Sequence, residues 1–222
     1  MPVAAAGSSL SSSRLRKLAR QGVEKQEAEQ EHCELCAAPV GPQHWHLIDL
    51  QNGELMCACQ ACKILFDRTE AGEGHYRLVP DRRMRLPGFA LSDARWDALH
   101  IPVEMAFFFH STRNERVIAL YPSPAGPTES LLELEAWQEI VRDNPILESL
   151  EHDVEALLVN RARGKSEYFL VPIEDPYRLV ALIRTRWRGF SGGKEVWEEI
   201  ESFFGTLAEK ATTVGNDREE AA

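Results

Sequence analysis

Short apolar runs come in two pairs in the second half of this chain of 222 residues. The first pair, VEMAFFFHS and RVIALYPS, is joined by the polar segment TRNE, and the second pair, DVEALLVNR and EYFLVPI, is joined by RARGKS. Apolar runs of this length that flank a polar turn are typical of β-hairpins. The sequence therefore predicts two hairpins beyond residue 103.

A segment with apolar residues at helical spacing follows each pair of runs. These segments are TESLLELEAWQEIVRDNP and DPYRLVALIRTRW, and the second opens with Asp175 as a cap and Pro176 at its first position. KEVWEEIESFFGTLAEK predicts a strongly amphipathic last helix, and LSDARWDALHIP predicts a short helix with Ser92 as its N-cap.

The two pairs also align with each other at an offset of 50 residues. AFFFHSTRNERVIALYP (106–122) falls on ALLVNRARGKSEYFLVP (156–172) with four identities and no gap. This match suggests a duplicated β-β-α unit. The predicted fold class is therefore α+β, with an antiparallel sheet that carries its helices on one face.

All five cysteines lie in one short segment, and four of them form two C-x2-C pairs, Cys33 with Cys36 and Cys59 with Cys62. Two such turns brought together make a tetrahedral cage of four sulfurs, which suits zinc. Between the pairs, HWHLIDL and ELMCAC predict two strands that turn at Asn52-Gly53. The second pair opens a helix, QACKILFDR. This order of elements is similar to a treble-clef or zinc-ribbon module.

Other uses of the cysteines stay open at this point. The same cage could hold iron, as in a rubredoxin-like site, and a C-x2-C pair could act as a redox thiol pair. Strand alternation places Cys57 on the face of Cys59, so it is either a spare ligand or a buried thiol. His32, His44 and His46 are candidates for alternative ligands or for contacts to the ligands.

The module also resembles the metal-holding half of HNH nucleases, where a strand that bears a histidine precedes an LCxxC motif. Here His44 and His46 precede the second cysteine pair. The nuclease pattern needs a further catalytic Asn or His on the helix, and KILFDRTEAG contains neither. A relic of such a nuclease is therefore a minor alternative.

Charge and hydropathy narrow the class of protein. The net charge is −10 and the pI is about 5.2, which argues against nucleic acid as the main partner. The sequence lacks an apolar run near the ~20 residues that span a bilayer, and its N-terminus lacks the core of a signal peptide. We therefore expect a cytoplasmic protein, in which thiols stay reduced and clustered cysteines serve as metal ligands.

One basic cluster is a candidate anion-binding site. Arg184, Arg186, Arg188 and Lys194 surround Trp187 and an SGG segment that leads into the last helix. A helix N-terminus with free amides favours anions. The alternative is that the arginines lie at a helix C-terminus, where their positive charges interact favourably with the negative end of the helix dipole.

These patterns divide the chain into five predicted segments. They are a flexible tail (1–30), a four-cysteine zinc-binding module (31–70), a connector with a short helix (71–102), an α+β domain (103–209) and a second flexible tail (210–222).

Several longer motifs together resemble one bacterial family of uncharacterised proteins, whose genes tend to lie beside those of uptake nickel–iron hydrogenases. The motifs are CELC, HLIDL, CACQACKILFDR, YRLVPDRR, IPVEMAFFF, YPSPAGPTES, DVEALLVNR, VPIEDPYRLV and RTRWRGFSGGKEVWEEIESFF. The resemblance implies a role in the assembly, maturation or electron path of a hydrogenase, with hydrogenase subunits or maturation factors as partners.

We therefore expect a non-catalytic accessory or adaptor protein that contains zinc and works through protein contacts. The alternative from another class is a redox or electron-transfer protein that uses an iron site with four cysteine ligands or a thiol pair.

Overall fold

The two hairpins expected beyond residue 103 form the centre of a large sheet. In the computed structural model, which describes residues 31–66, 74–132, 134–189 and 191–214, β5 (Met105–Ser111) pairs antiparallel with β6 (Arg116–Ser123). β8 (Glu155–Asn160) pairs in the same way with β9 (Glu167–Pro172). The prediction of a mixed α+β fold with an antiparallel sheet is confirmed.

Three further strands extend this sheet to seven. They are β4 (Met84–Arg85), β7 (Gly126–Ser130) and β10 (Thr212–Thr213), and the strand order is β10-β4-β9-β8-β5-β6-β7. β10 runs parallel to β4, whereas the other neighbours are antiparallel. The hairpins meet where β5 pairs with β8.

Helices cover the large sheet on both faces. α2 (Asp93–Ala98) and α3 (Leu134–Asp143) lie on one face, and α4 (Glu174–Arg186) and α5 (Lys194–Lys210) lie on the other. Every residue of β8 is buried, because both of its faces meet a helical layer. The expectation of helices on one face is therefore wrong. Continuous apolar runs such as ALLV (156–159) are the pattern of a sheet covered on two sides.

The 50-residue offset reproduces the pairing register of the hairpins but not their orientation. Phe107 pairs with Leu120 and Leu157 pairs with Leu170, which are equivalent pairs at that offset. Phe107, however, packs in the layer of α4 and α5, whereas Leu157 packs in the layer of α2 and α3. A third strand, β7, also separates the first hairpin from its helix. The two hairpins therefore share their pairing register, but the structure does not repeat a complete β-β-α unit.

A second, small sheet carries the cysteines. Its order is β2-β1-β3, with β1 (Trp45–Asp49), β2 (Glu54–Ala58) and β3 (Tyr76–Leu78), and α1 (Gln60–Phe66) follows β2. β3 lies in the segment expected to be a connector, yet it pairs with β1.

Two other expectations concern the ends of the segments. Ser92 caps α2 as predicted, since its hydroxyl accepts a hydrogen bond from the amide of Arg95 at 3.4 Å. The last predicted tail begins at 210, but Thr212 and Thr213 form β10, so that expectation is wrong for these two residues. The first tail and residues 215–222 lie outside the described residues. The remaining segment boundaries stay predictions.

Among the helices of the described segments, none has the length and apolar character that crossing a membrane requires.

Candidate metal centre

The first cysteine pair sits on a tight turn. The amide of Ala37 donates to the carbonyl of Cys33 at 2.7 Å, and the amide of Cys33 donates to the carbonyl of Ala38 at 2.8 Å. Ala37 adopts the left-handed region with φ of 58°, which lets the chain reverse within a few residues. An isolated bridge between His32 and Pro39 closes the base of the turn. The turn therefore presents both sulfurs of the pair from one small loop.

The second pair sits at the start of α1. Cys59 immediately precedes the helix and Cys62 lies in its first turn, on the buried side. The amide of Lys63 donates to the carbonyl of Cys59 at 2.8 Å, and the amide of Cys62 lies 3.5 Å from the Sγ of Cys59. The amide of Cys62, in the first turn of the helix, therefore points at the thiol that precedes the helix.

The two pairs converge on one point. The four sulfurs of Cys33, Cys36, Cys59 and Cys62 all lie within 4.8 Å of one another, and the sulfurs of Cys36 and Cys59 are 3.6 Å apart. A tetrahedral zinc or iron site with metal–sulfur bonds near 2.3 Å has sulfurs roughly 3.8 Å apart. All four cysteines are free thiols rather than disulfides. The four sulfurs can therefore hold one metal ion.

The protonation of the four thiols depends on their neighbours. Burial raises the pKa of Cys33, but backbone amides near Cys59, Leu35 and Cys36 outweigh it and bring that pKa to about 6. Burial and the three neighbouring cysteines raise the pKa of Cys62. Neighbouring amides and thiols also lower the pKa of Cys59, whereas the pKa of Cys36 is raised. The protein groups alone therefore favour thiolates at some of the four positions and disfavour them at the others. A bound cation supplies the charge that four thiolates need.

Cys57 does not join this group. Trp45, Leu47 and Ala58 pack with Cys33 and Cys62 on one face of the hairpin formed by β1 and β2. Cys57 lies directly opposite His46 in the pairing register, so both residues project from the other face. The expected alternation between Cys57 and Cys59 fails because β2 ends at Ala58.

On that other face, Cys57 meets two histidines. The ligand atoms of His44, His46 and Cys57 lie within 4.8 Å of one another, and the two imidazole rings have centroids 4.6 Å apart. The structure therefore forms a second cluster from residues that the sequence offered only as alternative ligands or contacts to the four-cysteine site. Their role in that site stays a prediction, and the separate clustering argues against it.

The second cluster borders the large domain. His46 Nδ1 lies 2.6 Å from Glu174 Oε2, at the first position of α4. Burial raises the pKa of Glu174, but His46, Arg178 and Arg83 together hold it below its ordinary value. Burial and the carboxylates of Glu34 and Glu31 raise the pKa of the Cys57 thiol.

Sequence reasoning missed Glu174, because at the start of a helix an acidic residue is expected for reasons of capping alone. Its position beside His46 depends on how the two sheets pack together.

His32 and the basic cluster belong to neither group of ligands. His32 is exposed and bridges to Pro39 through the backbone. Arg184 and Arg186 end α4, whereas Lys194 begins α5. Two of the four cations already form ion pairs along α5, Arg186 with Glu199 at 3.2 Å and Lys194 with Glu198 at 3.1 Å. The anion site stays a prediction, and these pairs favour the alternative of a helix end decorated with arginines.

With this geometry established, comparison with known proteins gives one match. Residues 32–211 match a family of unknown function (DUF5947). The chain belongs to this family. The match covers both the cysteine module and the large sheet, so the DUF5947 family joins the two parts in one unit. Neither a curated protein nor a solved structure matches the chain.

Proposed function

We propose that this DUF5947 protein is a non-catalytic accessory or adaptor protein whose four-cysteine module is shaped by one zinc ion. The observation that carries this proposal is the convergence of four sulfurs from a turn and a helix start. Four protein ligands complete a tetrahedron and leave the ion without an open position, which is the arrangement of structural rather than catalytic zinc. Such an ion shapes a surface and does not act on a substrate.

The surface that the zinc would shape includes α1. Ile64 and Leu65 on this helix are each 63% exposed, whereas Cys62 on the same helix is 5% exposed. α1 thus directs its cysteine inward and two large apolar side chains outward. Exposed apolar side chains that lie side by side are typical of protein-binding surfaces. We therefore assign the partner contact to Ile64 and Leu65.

The partner we propose is a subunit or a maturation factor of a nickel–iron hydrogenase, in the cytoplasm. This part of the proposal rests on the resemblance drawn from the sequence motifs. The acidic net charge of −10 agrees with a protein partner rather than a nucleic acid.

Affinity purification of the tagged full-length protein from a host with an uptake hydrogenase tests the proposal. We expect hydrogenase proteins to co-purify with the wild type and about tenfold less of them with the double variant Ile64→Ser, Leu65→Ser, since losing two apolar anchors costs more than about 1.4 kcal/mol. The matched control is Leu131→Ser, because Leu131 is an exposed leucine, at 89%, outside the zinc module.

The outcomes separate the parts of the proposal. If no hydrogenase proteins co-purify with the wild type, the proposed hydrogenase partner is refuted. If the double variant recovers as much hydrogenase protein as the wild type does, Ile64 and Leu65 are not the contact surface. The wild type, the double variant and Leu131→Ser should contain the same amount of zinc, because the substitutions leave the cysteines intact. This check shows that any change in recovery does not come from loss of the metal.

A further inference from the structure

We propose that His44, His46 and Cys57 form a second metal site, which binds one zinc-class divalent ion separately from the four cysteines. This goes beyond the proposed function, in which one zinc ion shapes the binding module. The ligand atoms of the three residues lie within 4.8 Å of one another, close enough for a single ion to contact all of them.

The hairpin keeps the two groups of ligands apart. Leu47 and Ala58 face the four cysteines, whereas His46 and its cross-strand partner Cys57 face the large domain. Ile48, which follows the same alternation as His46, belongs to the core of the large domain. The second site therefore lies at the junction between the small sheet and the large one.

The contacts of His44 leave one ring nitrogen available for a metal. Its Nδ1 lies 2.8 Å from the carbonyl oxygen of Gly41. A carbonyl oxygen can only accept, so Nδ1 carries the proton and Nε2 of the neutral ring has the free lone pair. The His44 side chain is only 9% exposed, and its Nε2 is buried without a hydrogen-bond partner among the described residues. A buried nitrogen without a partner is costly, and a metal ion would satisfy it.

His46 shows the corresponding arrangement with a carboxylate. Its Nδ1 faces Glu174 Oε2 at 2.6 Å, which leaves Nε2 as the remaining ring nitrogen. Glu174 is itself held by Arg178 at 3.3 Å and by Arg83 at 3.5 Å. Histidines that ligate metals commonly donate their other ring nitrogen to a carboxylate or a carbonyl, which fixes the ring. In this cluster, the Nδ1 atom of each histidine lies within 2.8 Å of a carbonyl or carboxylate oxygen.

The donor set selects the kind of metal. Two imidazoles and one thiolate suit zinc and its neighbours in the first transition row, whereas calcium and magnesium need oxygen ligands. The surroundings also favour a cation, because Glu31 Oε2 lies 3.4 Å from His44 Nδ1 and Glu34 Oε2 accepts from the amide of Cys57 at 2.6 Å. Three protein ligands are the number found in zinc sites that keep one position for a further ligand.

Titration of the reduced, metal-free full-length protein with cobalt(II), followed by native mass spectrometry and absorption spectroscopy, tests this proposal. We expect two cobalt ions per wild-type chain and one per chain in His46→Ala and in Cys57→Ala. The strong sulfur-to-cobalt absorption of the four-cysteine site should remain in both variants. The matched control is His75→Ala, because His75 is an exposed histidine that contacts Gln51; this variant should still bind two ions.

A second measurement does not depend on the folding of a variant. In wild-type protein that already holds one zinc per chain, so that the four-cysteine module is folded, a second equivalent of zinc should slow the alkylation of Cys57 by iodoacetamide at least tenfold, measured by peptide mass spectrometry. The same zinc should not protect Cys57 in His44→Ala. One cobalt ion per wild-type chain, two ions in Cys57→Ala, or equal alkylation of wild-type Cys57 with one and with two equivalents of zinc would each overturn the second site. None of these results would affect the four-cysteine site, so the two proposals can fail separately.

Discussion

His46 in the small sheet and Glu174 at the start of α4 meet across the junction of the two parts of the protein, with 2.6 Å between Nδ1 and Oε2. Both side chains are largely buried. Arg77 of β3 adds a second polar link, since its Nη1 donates to the carbonyl of His152 at 2.7 Å. These links position the cysteine module on the large domain, but they add nothing to the hydrophobic core of the module itself.

The first prediction concerns the identity of the metal in the four-cysteine site. In the Cys57→Ala background only the four-cysteine site remains, because Cys57 faces away from the cage, and the purified protein should contain about one zinc per chain. A further Cys33→Ser or Cys62→Ser substitution should remove this zinc. Elemental analysis by mass spectrometry measures this. A red protein with one iron per chain would contradict zinc and favour the electron-transfer alternative.

The second prediction concerns the stability of the cysteine module. Its buried apolar interior consists of Cys33, Leu47, Ala58 and Cys62, which is too little to offset the conformational entropy of folding the segment. A strong chelator should therefore remove the hydrogen-exchange protection of residues 45–58, while β5 and β8 stay protected by their own core. Cys33→Ser should have the same effect. Unchanged protection of 45–58 without metal would show that the metal does not hold the module together.

The third prediction concerns a buried carboxylate in the large sheet. Glu155 is fully buried, and Arg82 donates to it through Nε at 2.7 Å and also through Nη2. Arg82→Ala should lower the free energy of unfolding by about 3–5 kcal/mol, because it leaves a buried charge without its partner. Urea unfolding monitored by circular dichroism measures the change.

The control for that prediction is an exposed ion pair. Arg116 and Glu129 are 2.7 Å apart and nearly half exposed, at 49% and 43%. Arg116→Ala should cost less than about 1 kcal/mol, since water already screens this pair. A similar loss in both variants would mean that burial of Glu155 does not determine the effect.

The fourth prediction concerns the turn between α4 and α5. Gly192 has a φ of +83°, and a Cβ there would lie 2.8 Å from Val196 Cγ1 and 3.0 Å from the ring of Trp187. Gly192→Ala should therefore destabilise the protein by about 2–4 kcal/mol, from backbone strain and overpacking together. Gly193→Ala is the matched control, because Gly193 has a similar φ of +81° but its nearest contact would be at 3.9 Å. Thermal unfolding should show a clearly smaller loss for the control, and equal losses would exclude the steric clash as the cause.

The parts of the structure that were predictable depend on residues close together in the sequence. The spacing within Cys33–Cys36 and within Cys59–Cys62 specifies two turns, and only their convergence had to be assumed. The hairpins follow from apolar runs around a polar turn, and their pairing register agrees with the 50-residue offset.

The parts that were not predictable depend on packing between distant segments. The four consecutive apolar residues of β8, 156–159, are equally compatible with a central strand covered on both faces and with one covered on a single face, so the second helical layer was missed. In the same way, the position of Glu174 beside His46 follows from the docking of α4 against the small sheet. Because β2 ends at Ala58, Cys59 does not continue the strand alternation and does not share the face of Cys57, and the ends of elements are the least certain feature of a sequence pattern.

The parallel strand β10 has a consequence for how the molecule behaves in a crowded solution. The amides of Thr212 and Val214 donate to the carbonyls of Arg83 and Arg85 at 2.9 and 3.0 Å, and so occupy the outer backbone groups of β4. Unpaired groups at the border of a sheet are a template on which another molecule can add its own strand. β10 thus covers the outer backbone groups of β4, and a protein shortened before Thr212 would expose them as such a template.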